Sequence, residues 1–76
     1  MNVEVKDILE LLARELDLDE GEIHETSVAD EIENWDSLGQ LAVCMAIETR
    51  YSIQIPIEQV GELRSVPAIV VYLAEL

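Results

Sequence analysis

The stretch Glu33-Asn34-Trp35-Asp36-Ser37-Leu38-Gly39-Gln40-Leu41, read with the run that follows it to Tyr51, decides the fold of this chain. Eight of the ten residues from Leu38 to Ile47 are apolar, a wider stripe than an ordinary surface helix carries. The run predicts a helix that either lies deep in the core or shows apolar surface to a partner. Two residues compete to start it. Ser37 with Gln40 fits the S/T-x-x-E/Q capping box, in which the hydroxyl accepts from the Gln40 amide and the Gln40 side chain reaches back. Asp36 is an equally good cap, and if it takes that position Ser37 moves into the first turn with its hydroxyl free to face solvent.

Upstream, Val5, Ile8, Leu9, Leu12 and Leu16 recur at helical spacing, with Lys6, Asp7, Glu10, Arg14 and Glu15 mostly between them. They predict an amphipathic helix of about three to four turns. From Asp17 to Asn34 the periodicity dissolves into a long loop holding a single short turn, with Leu18, Ile23, Val28 and Ile32 as isolated apolar anchors. A connection of that length is uncommon in a small domain and usually functional. Downstream, Pro56 blocks any continuation of the helix, and the segment from Pro56 to Leu63 can form one or two turns begun by that proline. Ser65 can cap a last helix, with Pro67 in its first turn and Val66, Ile69, Val70, Leu73 and Leu76 as its apolar residues. The order is helix, long loop, helix, short helix, helix, all within one domain, residues 1–76.

Composition narrows the function. Half of the 76 residues are apolar, but Trp35, Tyr51 and Tyr72 are the only aromatics and Phe is absent, so Leu, Ile, Val, Ala and Met must fill the core. That favours packed helices. Seventeen Asp and Glu stand against Lys6, Arg14, Arg50 and Arg64, and the net charge of −13 repels phosphate backbones and anionic lipid alike. Nucleic acid and membrane insertion are therefore not expected, whereas a basic surface on a partner protein would be attracted. The opening Met1–Leu12 segment lacks the charge and long apolar run of a secretory signal, and the expectation is a soluble cytoplasmic protein. Cys44 stands alone inside the apolar run and reads as a small buried hydrophobe.

Few residues offer chemistry of their own. Asp17, Asp19 and Gly21 resemble the start of a calcium loop, but Gly21 falls on a ligand position, Glu22 on the sharp-turn glycine and Val28 on the bidentate glutamate. His24 is the only histidine and has no second histidine or cysteine at ligand spacing, so neither a metal site nor a catalytic triad is expected. The chain reads as non-catalytic.

With these elements in order, the segment from Asp36 to Pro56, "DSLGQLAVCMAIETRYSIQIP", resembles the attachment region of acyl carrier proteins. The resemblance covers essentially the whole chain: its length, its acidity, the helix ending in Glu48-Thr49-Arg50-Tyr51 and the Ile53-Gln54-Ile55-Pro56 exit. It implies an all-α four-helix bundle with three main helices, one short helix and a long first loop. It further implies that Ser37 accepts 4′-phosphopantetheine from coenzyme A, with Asp36 assisting attachment. A helix N-terminus suits the phosphodiester so formed, because unpaired amides and the helix dipole favour an anion there.

The expected partners are a phosphopantetheinyl transferase and acyl-loading and acyl-processing enzymes, met by a monomeric carrier. Leu38, Leu41 and Met45 follow one another at helical spacing and form, with Glu48, the candidate docking surface. The competing reading buries the three apolar residues in the core. Carriers of primary fatty acid synthesis usually have a small residue where Trp35 stands and acids where Gly39 and Ala42 stand. Those departures favour a freestanding carrier of a specialised route, polyketide, fatty-acyl or similar. Trp35 itself either packs the loop onto the bundle or touches a partner. Two alternatives are a D-alanyl or peptidyl carrier loaded by an adenylating enzyme, and an acidic helical interaction module whose Ser37 is only a cap.

Overall fold

In the computed structural model, which describes residues Met1–Leu76, the first helix, α1, runs from Val5 to Glu15. Its inner face is Ile8, Leu11 and Leu12, continued by Leu16 just past its end. Leu11 was missing from the sequence-derived stripe and Leu9, which was in it, lies half-buried on the flank. The reason is geometric: positions 8, 11, 12 and 16 share one face, and Leu9 is rotated off it. Asp17 then takes a left-handed conformation, φ 55°, and the Leu18 amide donates to the Ala13 carbonyl at 2.8 Å, so the helix closes in a Schellman turn without glycine.

The connection that follows contains two single 3₁₀ turns, Glu20–Glu22 and Ala29–Glu31, where the sequence predicts one. Ile23 is buried as expected, Leu18, Val28 and Ile32 are half-buried, and Ala29 is a buried anchor that the sequence did not announce. A small residue is needed there because the loop backbone lies directly on the start of the last helix. The Ala29 amide donates to the Arg64 carbonyl at 2.8 Å and the Val66 amide to the Ser27 carbonyl at 2.9 Å, pairing Val28 with Ser65 in an isolated antiparallel bridge.

Helix α2, Ser37–Tyr51, buries Gln40, Val43, Cys44 and Ile47, an i, i+3, i+4, i+7 face. It ends as α1 does: Ser52 is left-handed, φ 54°, and the Ile53 amide donates to the Glu48 carbonyl at 3.2 Å. Pro56 then opens the short helix α3, Ile57–Val60, held on either side by buried Ile55 and Leu63. Helix α4, Val66–Ala74, is capped by Ser65, whose hydroxyl oxygen accepts from the Ala68 amide at 3.0 Å, with Pro67 in its first turn. It buries Val66, Ile69 and Leu73. Leu76, counted as apolar contact in the sequence, lies past the helix end and is exposed, because the helix stops before its register returns to the core.

The architecture is the expected all-α bundle of three main helices and one short one, without a strand. Fifteen residues form one apolar cluster, and its largest member is Trp35. Full burial of each large aliphatic side chain contributes about 1.5–3 kcal/mol, so no position on this inner surface is dispensable in a chain of this size. No helix is long and apolar enough to cross a membrane.

Candidate functional site

The contest over which residue starts α2 is won by Asp36. Its backbone is extended, its Oδ1 accepts from the Gly39 amide at 2.8 Å, and its carbonyl accepts from the Gln40 amide at 2.8 Å. Ser37 therefore occupies the first helical position, exposed, with its hydroxyl not used in the cap. The backbone amides of Ser37 and Leu38 have no carbonyl partner in the chain and point along the positive end of a 15-residue helix. An anion covalently held on the Ser37 oxygen would meet those donors, so the site fits a phosphodiester.

Gln40 does not reach back to Ser37, and the capping-box reading is overturned. Its side chain turns inward, where its Oε1 accepts from the Trp35 indole Nε1 at 2.6 Å and its Nε2 donates to the carbonyls of Val60 and, at 2.9 Å, Leu63. The interior offered an indole donor and two backbone acceptors that nothing else could satisfy, and buried polar groups need partners. Gln40 is the only buried polar residue, at 4% exposure, and its register with Val43, Cys44 and Ile47 is the sequence signal that marks it as inward. Trp35 is 1% exposed and packs the end of the loop onto the bundle.

The two residues before the cap are tied to other elements as well. Asn34 Nδ2 donates to the Leu16 carbonyl at 3.0 Å, and the Trp35 carbonyl accepts from Arg64 Nη2 at 3.5 Å while the same guanidinium nitrogen lies 3.6 Å from an Asp30 carboxylate oxygen. Gly39 completes the fit. A Cβ there would collide with the Asn34 carbonyl and stand 2.9 Å from a Leu16 methyl, so only glycine lets the loop backbone sit on the first turn of α2. The residue that looked like a missing acid in the sequence is a steric requirement.

On the outer face of α2, Leu38 is 78% exposed, Leu41 48% and Met45 65%, so the reading that placed all three in the core does not hold. They stand beside Ser37 along one stripe. Glu48 is half-buried, and its Oε2 accepts from the Ile55 amide at 2.8 Å, fastening the exit of the helix. Shallow grooves flank Met45 and Thr49, one toward Ile53 and Pro56, the other toward Arg14 and Arg50. Burial, reinforced by the charge of Glu48, pushes the Cys44 thiol up from its ordinary value, which keeps it protonated and unreactive. His24 is exposed, and no three His, Cys, Asp or Glu side chains gather in a metal-binding arrangement.

The helical bundle thus presents an exposed serine hydroxyl, unused in the cap, at the N-terminus of α2. The family model for the phosphopantetheine attachment site matches residues 6–73, and the chain belongs to that family of carrier domains, on which 4′-phosphopantetheine is covalently attached. No curated protein matches the chain. The family's domains are modified by a phosphopantetheinyl transferase and generally catalyse nothing themselves.

Proposed function

We propose that Ser37 is the residue that accepts 4′-phosphopantetheine and that residues 1–76 act as one acyl carrier domain. The observation that carries this reading is the division of labour at the start of α2: Asp36 caps, and Ser37 is left exposed with a free hydroxyl. In attachment, a bond forms between the Ser37 oxygen and the phosphorus bearing pantetheine, and the pyrophosphate bond of coenzyme A breaks. Adenosine 3′,5′-bisphosphate leaves, and the serine proton passes to a base supplied by the transferase. Asp36 keeps one carboxylate oxygen on the Gly39 amide, and its other oxygen assists attachment. The attached arm supplies a thiol that holds acyl groups as thioesters.

The carrier hands those groups between enzymes of a polyketide, fatty-acyl or related specialised route in the cytoplasm, acting as a monomer. Leu38, Leu41 and Met45 anchor the docked enzyme and Glu48 edges that surface. Their exposure supports this, since a small bundle leaves three large apolar residues in water only at a cost. Incubation with coenzyme A and a phosphopantetheinyl transferase, followed by intact mass, tests the assignment. The expected result is one added phosphopantetheine on the natural chain and none on a folded Ser37→Ala variant. Addition to that variant, or a modified peptide containing Ser27, Ser52 or Ser65, overturns it.

A further inference from the structure

The polar side chain carried into the core is the Gln40 carboxamide. It is buried, its nitrogen donates to the Val60 and Leu63 carbonyls with the Cys44 sulfur as a weaker acceptor, and its oxygen accepts from the Trp35 indole N–H. Those partners belong to different parts of the fold. Trp35 is two residues before Ser37, whereas Val60 and Leu63 bracket the end of α3 and the link to α4. One side chain thus joins the loop that delivers the attachment serine to the short helix that has the least structure of its own. No hydrogen bond from α3 itself reaches the Asp36–Ser37 segment, so α3 is joined to it through this carboxamide, beside the longer bond from Arg64 to the Trp35 carbonyl.

We propose that Gln40 is a positioning residue for the modification of Ser37, holding the Trp35–Asp36–Ser37 segment in the geometry the transferase reads and making that geometry conditional on α3 being seated. The proposal rests on Ser37 as the attachment residue. Gln40 lies on the inner face of α2, opposite in role to Leu38, Leu41 and Met45, and its side chain bears on the Asp36–Ser37 segment through Trp35. Its loss should leave the docking stripe intact and misplace the nucleophile. Such a defect lowers kcat and spares KM, because docking is made by one set of residues and alignment by another.

Gln40→Met keeps the volume and removes every side-chain hydrogen bond of the residue; Gln40→Glu keeps the acceptor but turns a carboxylate toward two carbonyls. With the full chain, coenzyme A and a phosphopantetheinyl transferase, Gln40→Met should lose about tenfold in kcat with KM unchanged, at a temperature where circular dichroism shows it folded. Leu73→Ala, buried near the C-terminal end of α4 and without a hydrogen bond to Gln40 or Trp35, serves as the control for lost stability and should modify at the natural rate when folded. Gln40→Glu adds a signature that packing alone does not give. Burial and the facing carbonyls raise its carboxyl pKa, and the protonated form can again donate, so its rate relative to the natural chain should rise as pH falls from about 8 to about 6. The Trp35 indole proton should exchange faster in Gln40→Met, which lacks its acceptor, and not in Gln40→Glu, which keeps it. Where Gln40→Met does not fold, Trp35→Phe, which removes only the indole donor and its ring, carries the same kcat test. Unchanged kcat in a folded Gln40 variant, or an equal loss in Leu73→Ala, overturns the positioning role. Absence of any mass gain on the natural chain overturns the attachment reading and this proposal with it.

Discussion

Helices α1 and α2 carry similar proportions of apolar side chains and end in the same left-handed turn, yet they divide those side chains differently. On α1 the charged residues fill the outer face, so every large aliphatic group lies against the core or on its edge. On α2 the apolar residues occupy both faces, and the inner one carries a glutamine while Leu38, Leu41 and Met45 face water. Apolarity therefore reports burial on α1 and does not on α2. The helix that breaks the rule is the one that bears the candidate attachment serine, which is where local consistency is expected to give way to function.

The contrast between faces is broken most directly by matched truncations. Ile47→Ala on the inner face should cost about 2–5 kcal/mol in urea unfolding, as Leu12→Ala should on α1. Met45→Ala on the outer face should change stability by no more than about 0.5 kcal/mol while weakening loading by a cognate enzyme by about 1–2 kcal/mol. A Met45 variant that loses stability in the Ile47 range would return the outer stripe to the core and leave the acidic loop as the recognition surface.

Gly39 sharpens the comparison at the first turn. In an exposed helix interior, replacing glycine by alanine gains roughly 0.8–1.0 kcal/mol. At Gly39 the added methyl meets the Asn34 carbonyl, and Gly39→Ala should instead cost about 1–3 kcal/mol. A stabilised variant, read by thermal melting, would mean that the loop gives way without penalty.

The two N-termini differ as well. Glu4 makes no side-chain bond at the start of α1, whereas Asp36 holds the Gly39 amide at the start of α2. Asp36→Ala should cost about 0.5–2 kcal/mol, and Glu4→Ala and Ser37→Ala only a few tenths. Equal losses for Asp36 and Ser37 would show that both residues share the cap. The smallest effect is electrostatic. With acids crowded between Asp17 and Asp36, added salt should raise the melting temperature by screening repulsion over about 8–10 Å, and magnesium more than sodium at equal ionic strength. A melting curve insensitive to both would mean that these carboxylates are already well separated.

Periodicity was enough to read α1, the proline that opens α3 and the serine that caps α4, because each rests on interactions within a few residues. The start of α2 was legible to within one residue for the same reason: Asp36 and Ser37 are adjacent, either can cap, and Asp36 does. What could not be read was set by distant partners. Gln40 looks like half of a capping box until Val60 and Leu63 are known to lie over it, and Gly39 looks like an absent charge until the Asn34 carbonyl is placed beside it. Ala29 carries no pattern of its own and is buried only because Arg64 and Val66 hold the loop there.

The bridge between Val28 and Ser65 bears on the order in which the molecule takes shape. It joins the middle of the long loop to the threshold of α4, so it closes only after the loop, α2 and α3 have all been synthesised. Before that closure the loop has no fastening at its midpoint, and the seat beneath Trp35 also waits on Leu63 and Arg64. A nascent chain halted short of Leu63 lacks both fastenings, which makes the seating of the loop on the bundle a late event in the life of the polypeptide, completed only as the last helix begins.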